Sequence, residues 1–187
     1  MSLTRYYTAT TLDGFIADES HSLDWLFSRE QDHGGILNYR DFIAGVGARA
    51  MGATTYEWVL EHEFSGKDPS EWKWPYDLPC WVLTHRELTV VPDADVRFAS
   101  GDVRTVHAEM TSAAGGKDLW VVGGGDLAGQ FADAGLLDEV IVYVAPVTLG
   151  AGAPLLPRRL ELRLEELGRN GAFACARYAV LRTDRDG

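Results

Sequence analysis

Cysteine, positive charge and long apolar runs are all scarce in this sequence. Its two cysteines, Cys80 and Cys175, lie in apolar stretches, so no disulfide framework is predicted and both are expected to be reduced core residues. Seventeen basic residues against 28 acidic ones give a net charge of −11, which disfavours nucleic-acid and anionic membrane partners. The longest apolar run, Val140–Ala145, is too short to span a bilayer, and no signal peptide is recognisable. These absences predict a cytoplasmic protein without nucleic-acid or membrane partners.

Patterns for metal binding and hydrolysis are also missing. The five histidines are scattered, and Glu61-His62-Glu63 lacks the i, i+4 spacing of helical metal ligands, so no metal is predicted. The sequence has no Gly-x-Ser-x-Gly elbow, which argues against a hydrolase triad. Pro79-Cys80 has no second cysteine three residues on, so the zinc-deaminase signature is incomplete and deamination is not expected.

The order of predicted elements indicates one α/β domain spanning residues 1–187. Helical spacing predicts a helix over 36–46, and Thr54 is a candidate N-cap, with Glu57 completing a capping box, for a helix over 56–60. Asp102 is expected to cap another helix. Strand patterns at 160–167, with one wet face, and at 173–181 end the chain. We therefore expect a three-layer fold: a mostly parallel open sheet with helices on both faces and an antiparallel C-terminal hairpin.

The strongest local signal for a ligand is a buried strand, Asp118–Val122, that runs into Gly123, Gly124 and Gly125 and then into a helix. Glycines let a ligand approach the backbone, and a helix N-terminus favours a phosphate. The alternative is a glycine-rich turn without a ligand. The G-x-G-x-x-A match is too far along the chain, and lacks a suitably spaced acid, for a standard Rossmann site.

Three further segments point the same way. Met51–Glu57 joins a strand to a helix and carries the hydroxyls of Thr54 and Thr55, although capping alone would explain one of them. Thr84-His85-Arg86 follows a strand, where α/β sheets bind ligands, although a solvated turn would look the same. Small residues in Thr8–Ala17 leave room for a flat ring.

These segments, in this order, resemble the dihydrofolate reductase superfamily. Leu12–Ala17 looks like the opening motif, Met51–Glu57 the second motif and Gly123–Gly125 the glycine turn, while 135–139 and 145–155 look like the C-terminal signature. The closer resemblance is to the reductase (C-terminal) domain of the bifunctional deaminase-reductase family of riboflavin biosynthesis and its stand-alone members. It covers the chain from Thr8 to about Val180.

The resemblance implies NADPH as the cofactor and a small-molecule heterocycle as the substrate. It implies Asp13 and Trp25 as substrate-binding residues, and a cis peptide bond between Gly123 and Gly124. Ala9 and Ile16 would flank the nicotinamide. The cofactor-binding residues implied by the resemblance are Ala9, Ile16, Gly52, Thr54, Thr55, Thr84, His85, Arg86, Gly123, Gly124, Gly125, Asp126 and Leu127.

The sequence departs from the family pattern at two positions. Ala53 stands where dihydrofolate reductases often carry a basic residue for the 2′-phosphate, so Arg86 would have to take that role. Val122 stands where riboflavin-pathway reductases typically have Glu. Two alternatives to a general heterocycle reductase therefore stay open. One is the riboflavin-pathway 5-amino-6-(5-phosphoribosylamino)uracil reductase, and the other is a nucleotide-binding module without catalysis.

A hydride transfer also needs a proton donor. The catalytic candidates are Asp24, ranked first because Asp24-Trp25 looks like a recurrent pair in the stand-alone relatives, and Glu30; for either, a solvated surface charge is the alternative. By analogy we expect a homodimer. Its interface is predicted to use the C-terminal hairpin together with three aromatic residues expected to be exposed, Trp72, Trp74 and Tyr76.

Overall fold

The computed structural model describes residues 2–182, in which apolar and β-branched runs form a sheet flanked by short helices. The strands are β1 (Thr4–Thr11), β2 (Phe15–Ala17), β3 (Val46–Gly52), β4 (Cys80–Leu83), β5 (Val96–Ala99), β6 (Asp118–Gly123), β7 (Glu139–Ala145), β8 (Ala153–Pro154), β9 (Leu162–Asn170) and β10 (Phe173–Val180). The helices are α1 (Asp24–Phe27), α2 (Tyr39–Ala44), α3 (Ala53–Phe64), α4 (Val103–Ala113) and α5 (Gly125–Asp133).

Within residues 2–182 the main sheet has eight strands in the order β5-β4-β3-β6-β1-β7-β10-β9. The first six strands in that order are parallel to their neighbours. Strand β10 instead runs antiparallel to both β7 and β9. Strands β2 and β8 form a separate antiparallel pair. The predicted fold class is confirmed. The order also brings the carboxyl ends of β3, β6 and β1 side by side, where ligands of α/β proteins usually bind.

Alternation of side chains along the strands assigns each helix to one face of the sheet. Tyr6 points into the layer formed by α4 and α5, where it shares a core with Met110 and Phe131. Its neighbour Tyr7 lies on the opposite face and stacks on Phe42 of α2, with 4.3 Å between ring centroids. Helix α3 covers β3 and β4 on that same face. The helices therefore lie on both faces, as predicted.

Two predicted helices have different boundaries in the structure. The helix expected over 36–46 is only α2, because Asn38 caps it by accepting from the Asp41 amide, Gly45 ends it, and Val46 already begins β3. The predicted cap Thr54 is also wrong, since Gly52 is the N-cap of α3 and no side chain caps it. Thr54 instead occupies the second helical position.

The predicted surface aromatics are not exposed. Trp74 is buried in the apolar cluster that α3 forms with β3 and β4, and Trp72 and Tyr76 pack against that cluster. The reason is that the loop after α3 folds back against the helix. The strand expected over 160–167 also lacks an apolar inner face: β9 is an edge strand, and its Leu164 and Leu167 are exposed.

Other sequence-based expectations are confirmed. Asp102 caps α4 by accepting from the Arg104 amide, and the Gly123–Gly124 peptide bond is cis. Cys80 and Cys175 are both free and buried. Among residues 2–182 no helix has the length and apolar character needed to cross a membrane.

Candidate functional site

A cavity of about 660 Å³ opens at the carboxyl ends of the central strands, on the face of the sheet that carries α2 and α3. The end of β3, the end of β6 and the middle of β1 all contribute to its lining. The segment after β2, which includes α1, also contributes to the lining, through His21, Leu23, Leu26 and Gln31. The volume lies in the range that small-molecule and cofactor sites occupy.

Two helix N-termini face this cavity without a side-chain cap. Helix α3 has Gly52 as its N-cap and α5 has Gly124, and neither glycine has a side chain that could accept from the first-turn amides. A Cβ on Gly52 would lie 3.9 Å from both the Gly123 carbonyl oxygen and the Gly124 nitrogen, so the two turns adjoin. Unpaired N–H groups and two positive dipole ends therefore meet at one point, which favours an anionic ligand.

The glycines at these turns meet different requirements. A Cβ on Gly125 would lie 2.3 Å from the backbone oxygens of both Pro154 and Leu155, so α5 packs directly against β8. A Cβ built on Gly52 or Gly124 would make only ordinary van der Waals contacts with the rest of the fold, at 3.9 Å and 3.8 Å respectively. Gly125 thus serves packing, whereas the other two leave room for a ligand.

Most of the implied cofactor residues come together in the cavity. The implied residues that line it are Ala9, Ile16, Gly52, Thr54, Thr55, Gly123, Gly124, Gly125, Asp126 and Leu127. Thr84, His85 and Arg86 lie in the turn after β4 and are not in the lining, although Leu83 just before them is. The Arg86 guanidinium donates to both carboxylate oxygens of Glu57, at 3.0 and 2.8 Å.

The two candidate proton donors lie outside the cavity. Asp24 is exposed on α1, although its neighbours Leu23 and Leu26 do line the cavity. Glu30 is exposed as well, and its backbone oxygen accepts from the Ala172 amide. Their catalytic role stays a prediction.

The two implied substrate residues, Asp13 and Trp25, do not line the cavity. Asp13 accepts from the Thr11 hydroxyl (2.5 Å) and from the amides of Leu149 (3.0 Å) and Gly150 (2.7 Å). These bonds, above all the one from Thr11, hold the pKa of its carboxyl below the usual range. Trp25 is buried in a cluster with Tyr143 and Phe173. Asp13 therefore fixes the loop after β7, and Trp25 anchors α1.

Sequence reasoning missed an aromatic wall. Tyr7, Trp120 and Tyr143 lie on neighbouring strands with their side chains on the same face, and Tyr39 and Tyr76 complete the set from the covering segments. Tyr39 meets Trp120 edge to face at 5.8 Å, and the Trp120 indole donates to the Tyr7 carbonyl at 3.1 Å. Only the strand order brings these residues together, so the sequence held no local signal for the wall.

A buried arginine lies next to this wall. Arg49 of β3 is 1% exposed, and its guanidinium carbon lies 3.5 Å from the centroid of the Tyr76 ring. Burial lowers the pKa of this guanidinium. Because a cation over an aromatic face is stabilised by the ring quadrupole, Tyr76 compensates part of the cost of burying this charge.

Across residues 2–182, no three His, Cys, Asp or Glu side chains are grouped so that they could hold a metal ion.

The parallel sheet, the antiparallel C-terminal hairpin and the paired glycine-capped helix starts define a protein of the dihydrofolate reductase-like fold. Comparison with known sequences narrows this class. The sequence model of the RibD C-terminal domain family matches residues 59–171, more than half of the chain, so the chain belongs to that family. The uncharacterized protein YwjB of Bacillus subtilis strain 168 is 35% identical over 170 residues, which cover 87% of this chain and 88% of YwjB.

Similarity to the bifunctional proteins themselves is partial. The riboflavin biosynthesis protein RibD of Haemophilus influenzae is 33% identical over 79 residues, which cover 40% of this chain and 21% of RibD. This chain carries the reductase-like portion of such proteins.

Solved structures agree on the fold. A protein of Shewanella sp. PV-4 assigned to riboflavin biosynthesis has a TM-score of 0.77 and 27% identity, with 96% of this chain and 99% of that chain covered. A diaminohydroxyphosphoribosylaminopyrimidine deaminase/5-amino-6-(5-phosphoribosylamino)uracil reductase of Thermotoga maritima has a TM-score of 0.61 and 17% identity. That match covers 96% of this chain and 57% of the Thermotoga chain.

Proposed function

We propose that this chain is a reductase that uses NADPH to transfer hydride to a pterin- or pyrimidine-like heterocycle. One observation carries the proposal: two helix N-termini without side-chain caps, those of α3 and α5, adjoin at one cavity. A dinucleotide places several phosphate charges close together, and paired helix starts can bind them without basic side chains.

The residues present fit this cofactor. Gly52 and Gly124 leave space for phosphate groups beside the first-turn amides, while Thr54 and Thr55 offer hydroxyls on α3. Ala9 is small and lines the cavity beside the aromatic wall, as a residue next to a nicotinamide ring should be. When bound, NADPH would supply the hydride; the chain would hold it, orient the acceptor and exclude water.

The family relationship supports reduction as the chemistry. The Thermotoga protein is named for both deaminase and uracil reductase activities, and this chain resembles its fold. A strict riboflavin-pathway reductase is the second candidate, favoured by the partial identity to Haemophilus RibD. Against it, the apolar side chain of Val122 lines the cavity where such reductases carry Glu.

Cofactor binding provides the direct test. Titration with NADPH, followed by nicotinamide fluorescence, should show saturable binding at sub-millimolar concentration. Gly52→Val should abolish it, because the backbone of Gly52 (φ −80°, ψ 166°) accepts any residue and the new side chain would extend toward the turn at Gly123. The matched control is Gly34→Val, which lies outside this cavity and meets only an ordinary contact. Absence of binding by the unmodified protein would refute the proposal.

A further inference from the structure

Several aromatic side chains line the same cavity as the two helix starts. Tyr7, Tyr143 and Trp120 rise from the sheet, and Tyr39 and Tyr76 face them from the covering segments. Rings at these positions present flat faces and edges rather than charges, an arrangement that favours a planar aromatic ligand.

The same cavity is poor in basic side chains. Within the part of the chain that the structure describes, residues 2–182, no lysine or arginine lines it, and His21 contributes an imidazole. The lining does contain a carboxylate, that of Asp126 in the first turn of α5. It accepts from Arg158 at 2.9 Å and from Gln130 at 2.9 Å.

The arginine side chains around the cavity do not reach its lining. Arg86 is held by Glu57 outside the lining, where it is the candidate partner of the cofactor's 2′-phosphate, and Arg158 bonds to Asp126 and Asp133. Arg49 is buried against the Tyr76 ring; its Nε and Nη2 atoms have no hydrogen-bond partner within residues 2–182, but the side chain is not part of the lining. None of these three guanidinium groups therefore contacts a ligand placed among the aromatic side chains.

A phosphate ester on the substrate would therefore have no suitable binding group. A phosphate held in a protein needs cations, or a helix N-terminus, to replace the water that it loses. In the proposed function, the phosphate groups of the cofactor bind at both helix N-termini of this cavity. A phosphate group on the substrate would be left with the aromatic side chains of the lining, which carry no positive charge.

We propose that the substrate is a planar, uncharged heterocycle without a phosphate ester, bound by stacking within this aromatic wall. The inference rests on the proposed function, because it assigns the helix starts to the cofactor. It separates this chain from the phosphoribosylated substrate for which the Thermotoga reductase is named.

The test compares two compounds that differ by one phosphate: 5-amino-6-(5-phosphoribosylamino)uracil and its dephosphorylated counterpart. Each is titrated into the protein saturated with NADPH, with tryptophan fluorescence reporting binding and nicotinamide absorbance reporting turnover. We expect the dephosphorylated compound to bind at least about tenfold more tightly, a difference of about 1.4 kcal/mol. Equal or tighter binding of the phosphorylated compound would overturn the inference, as would binding of neither.

A charge added to the wall gives a second measurement. Tyr39 lines the cavity and is 41% exposed, so Tyr39→Lys should fold and should raise the affinity for the phosphorylated compound by about tenfold. Tyr39→Gln, which shortens the side chain without adding charge, is the matched control and should not raise it. The NADPH titration is run on every variant. If the unmodified protein does not bind NADPH, the proposed function is wrong. If it binds NADPH and then prefers the phosphorylated compound, only this inference is wrong.

Discussion

Gly125 differs from the glycines beside it because two backbone oxygens leave no room for a Cβ atom at its position. A Cβ at this position would lie 2.3 Å from the carbonyl oxygens of both Pro154 and Leu155, and backbone cannot move aside as a flexible side chain can. We predict that Gly125→Ala lowers the free energy of unfolding by about 1–3 kcal/mol, the usual cost of overpacking. Urea denaturation measures it. Gly52→Ala, with nothing nearer than 3.9 Å, should cost much less; equal losses would contradict the packing argument.

Asp24 remains our proposed proton donor, with Glu30 second. Asp24 is exposed beside the cavity-lining Leu23, so bound substrate would have to draw its carboxylate inward. We predict that Asp24→Asn lowers kcat by about 100-fold, since a positioned acid contributes about 10²–10⁴-fold, while NADPH binding is retained. Glu19→Gln, an exposed change in the same segment, is the control. An unchanged kcat in Asp24→Asn would remove Asp24 from the mechanism.

Arg86 is our proposed partner for the cofactor's 2′-phosphate, because Ala53 offers no charge at the usual position. In the structure Glu57 holds its guanidinium at 2.8–3.0 Å. We predict that Arg86→Ala weakens NADPH binding by about tenfold and leaves NADH binding unaffected, as loss of one charge-assisted contact would. Glu57→Gln, which releases the guanidinium, should strengthen NADPH binding. Equal effects on both cofactors would contradict the assignment.

At the scale of elements, the loop between β7 and β8 is held in part by the Asp13 carboxylate, which lies in the turn after β1. Asp13 accepts from the amides of Leu149 and Gly150, and the bond from the Thr11 hydroxyl is the largest cause of its lowered pKa. A carboxyl whose pKa is lower in the folded protein stabilises the fold above its unfolded-state pKa, and this stabilisation is lost as the pH falls through the folded-state value.

This linkage predicts a pH-dependent effect of Asp13→Asn. The variant should be less stable than the unmodified protein at neutral pH, and the difference should shrink as the pH falls below the ordinary aspartate pKa of 3.8. Chemical denaturation over a pH series measures it. A difference that stays constant down to strongly acidic pH would show that the carboxylate charge is not the cause.

The elements themselves were partly predictable. The Asp102 cap and the strand before Gly123 depend on neighbouring residues, so the sequence located them correctly. The helix expected over 36–46 failed because Val46 is recruited into β3 by backbone pairing with β6, which no local pattern records. Thr54 failed as a cap because the backbone at Gly52 already has the extended conformation that an N-cap requires.

At the scale of the whole molecule, a homodimer remains a prediction. The aromatic residues first assigned to the interface pack inward, but β9 is an edge strand with Leu164 and Leu167 exposed. Exposed leucines on an unpaired strand edge favour pairing with a second copy. We predict a dimer by light scattering and a monomer for the Leu164→Glu/Leu167→Glu variant. The control is the Leu12→Glu/Val90→Glu variant, which changes two exposed apolar residues outside β9 and should remain a dimer. A monomeric unmodified protein would refute the prediction.

The sequence by itself determined the fold class, the glycine turns and the family, because these depend on short segments whose residues act on their own neighbours. Only the tertiary structure decided which segments share the cavity. It brought the α3 and α5 starts together, assembled the aromatic wall from residues far apart in the chain, and left Asp24 and Arg86 outside the lining. The physical reason is that strand order and side-chain direction, which set these distances, arise from pairing between strands that are remote in sequence.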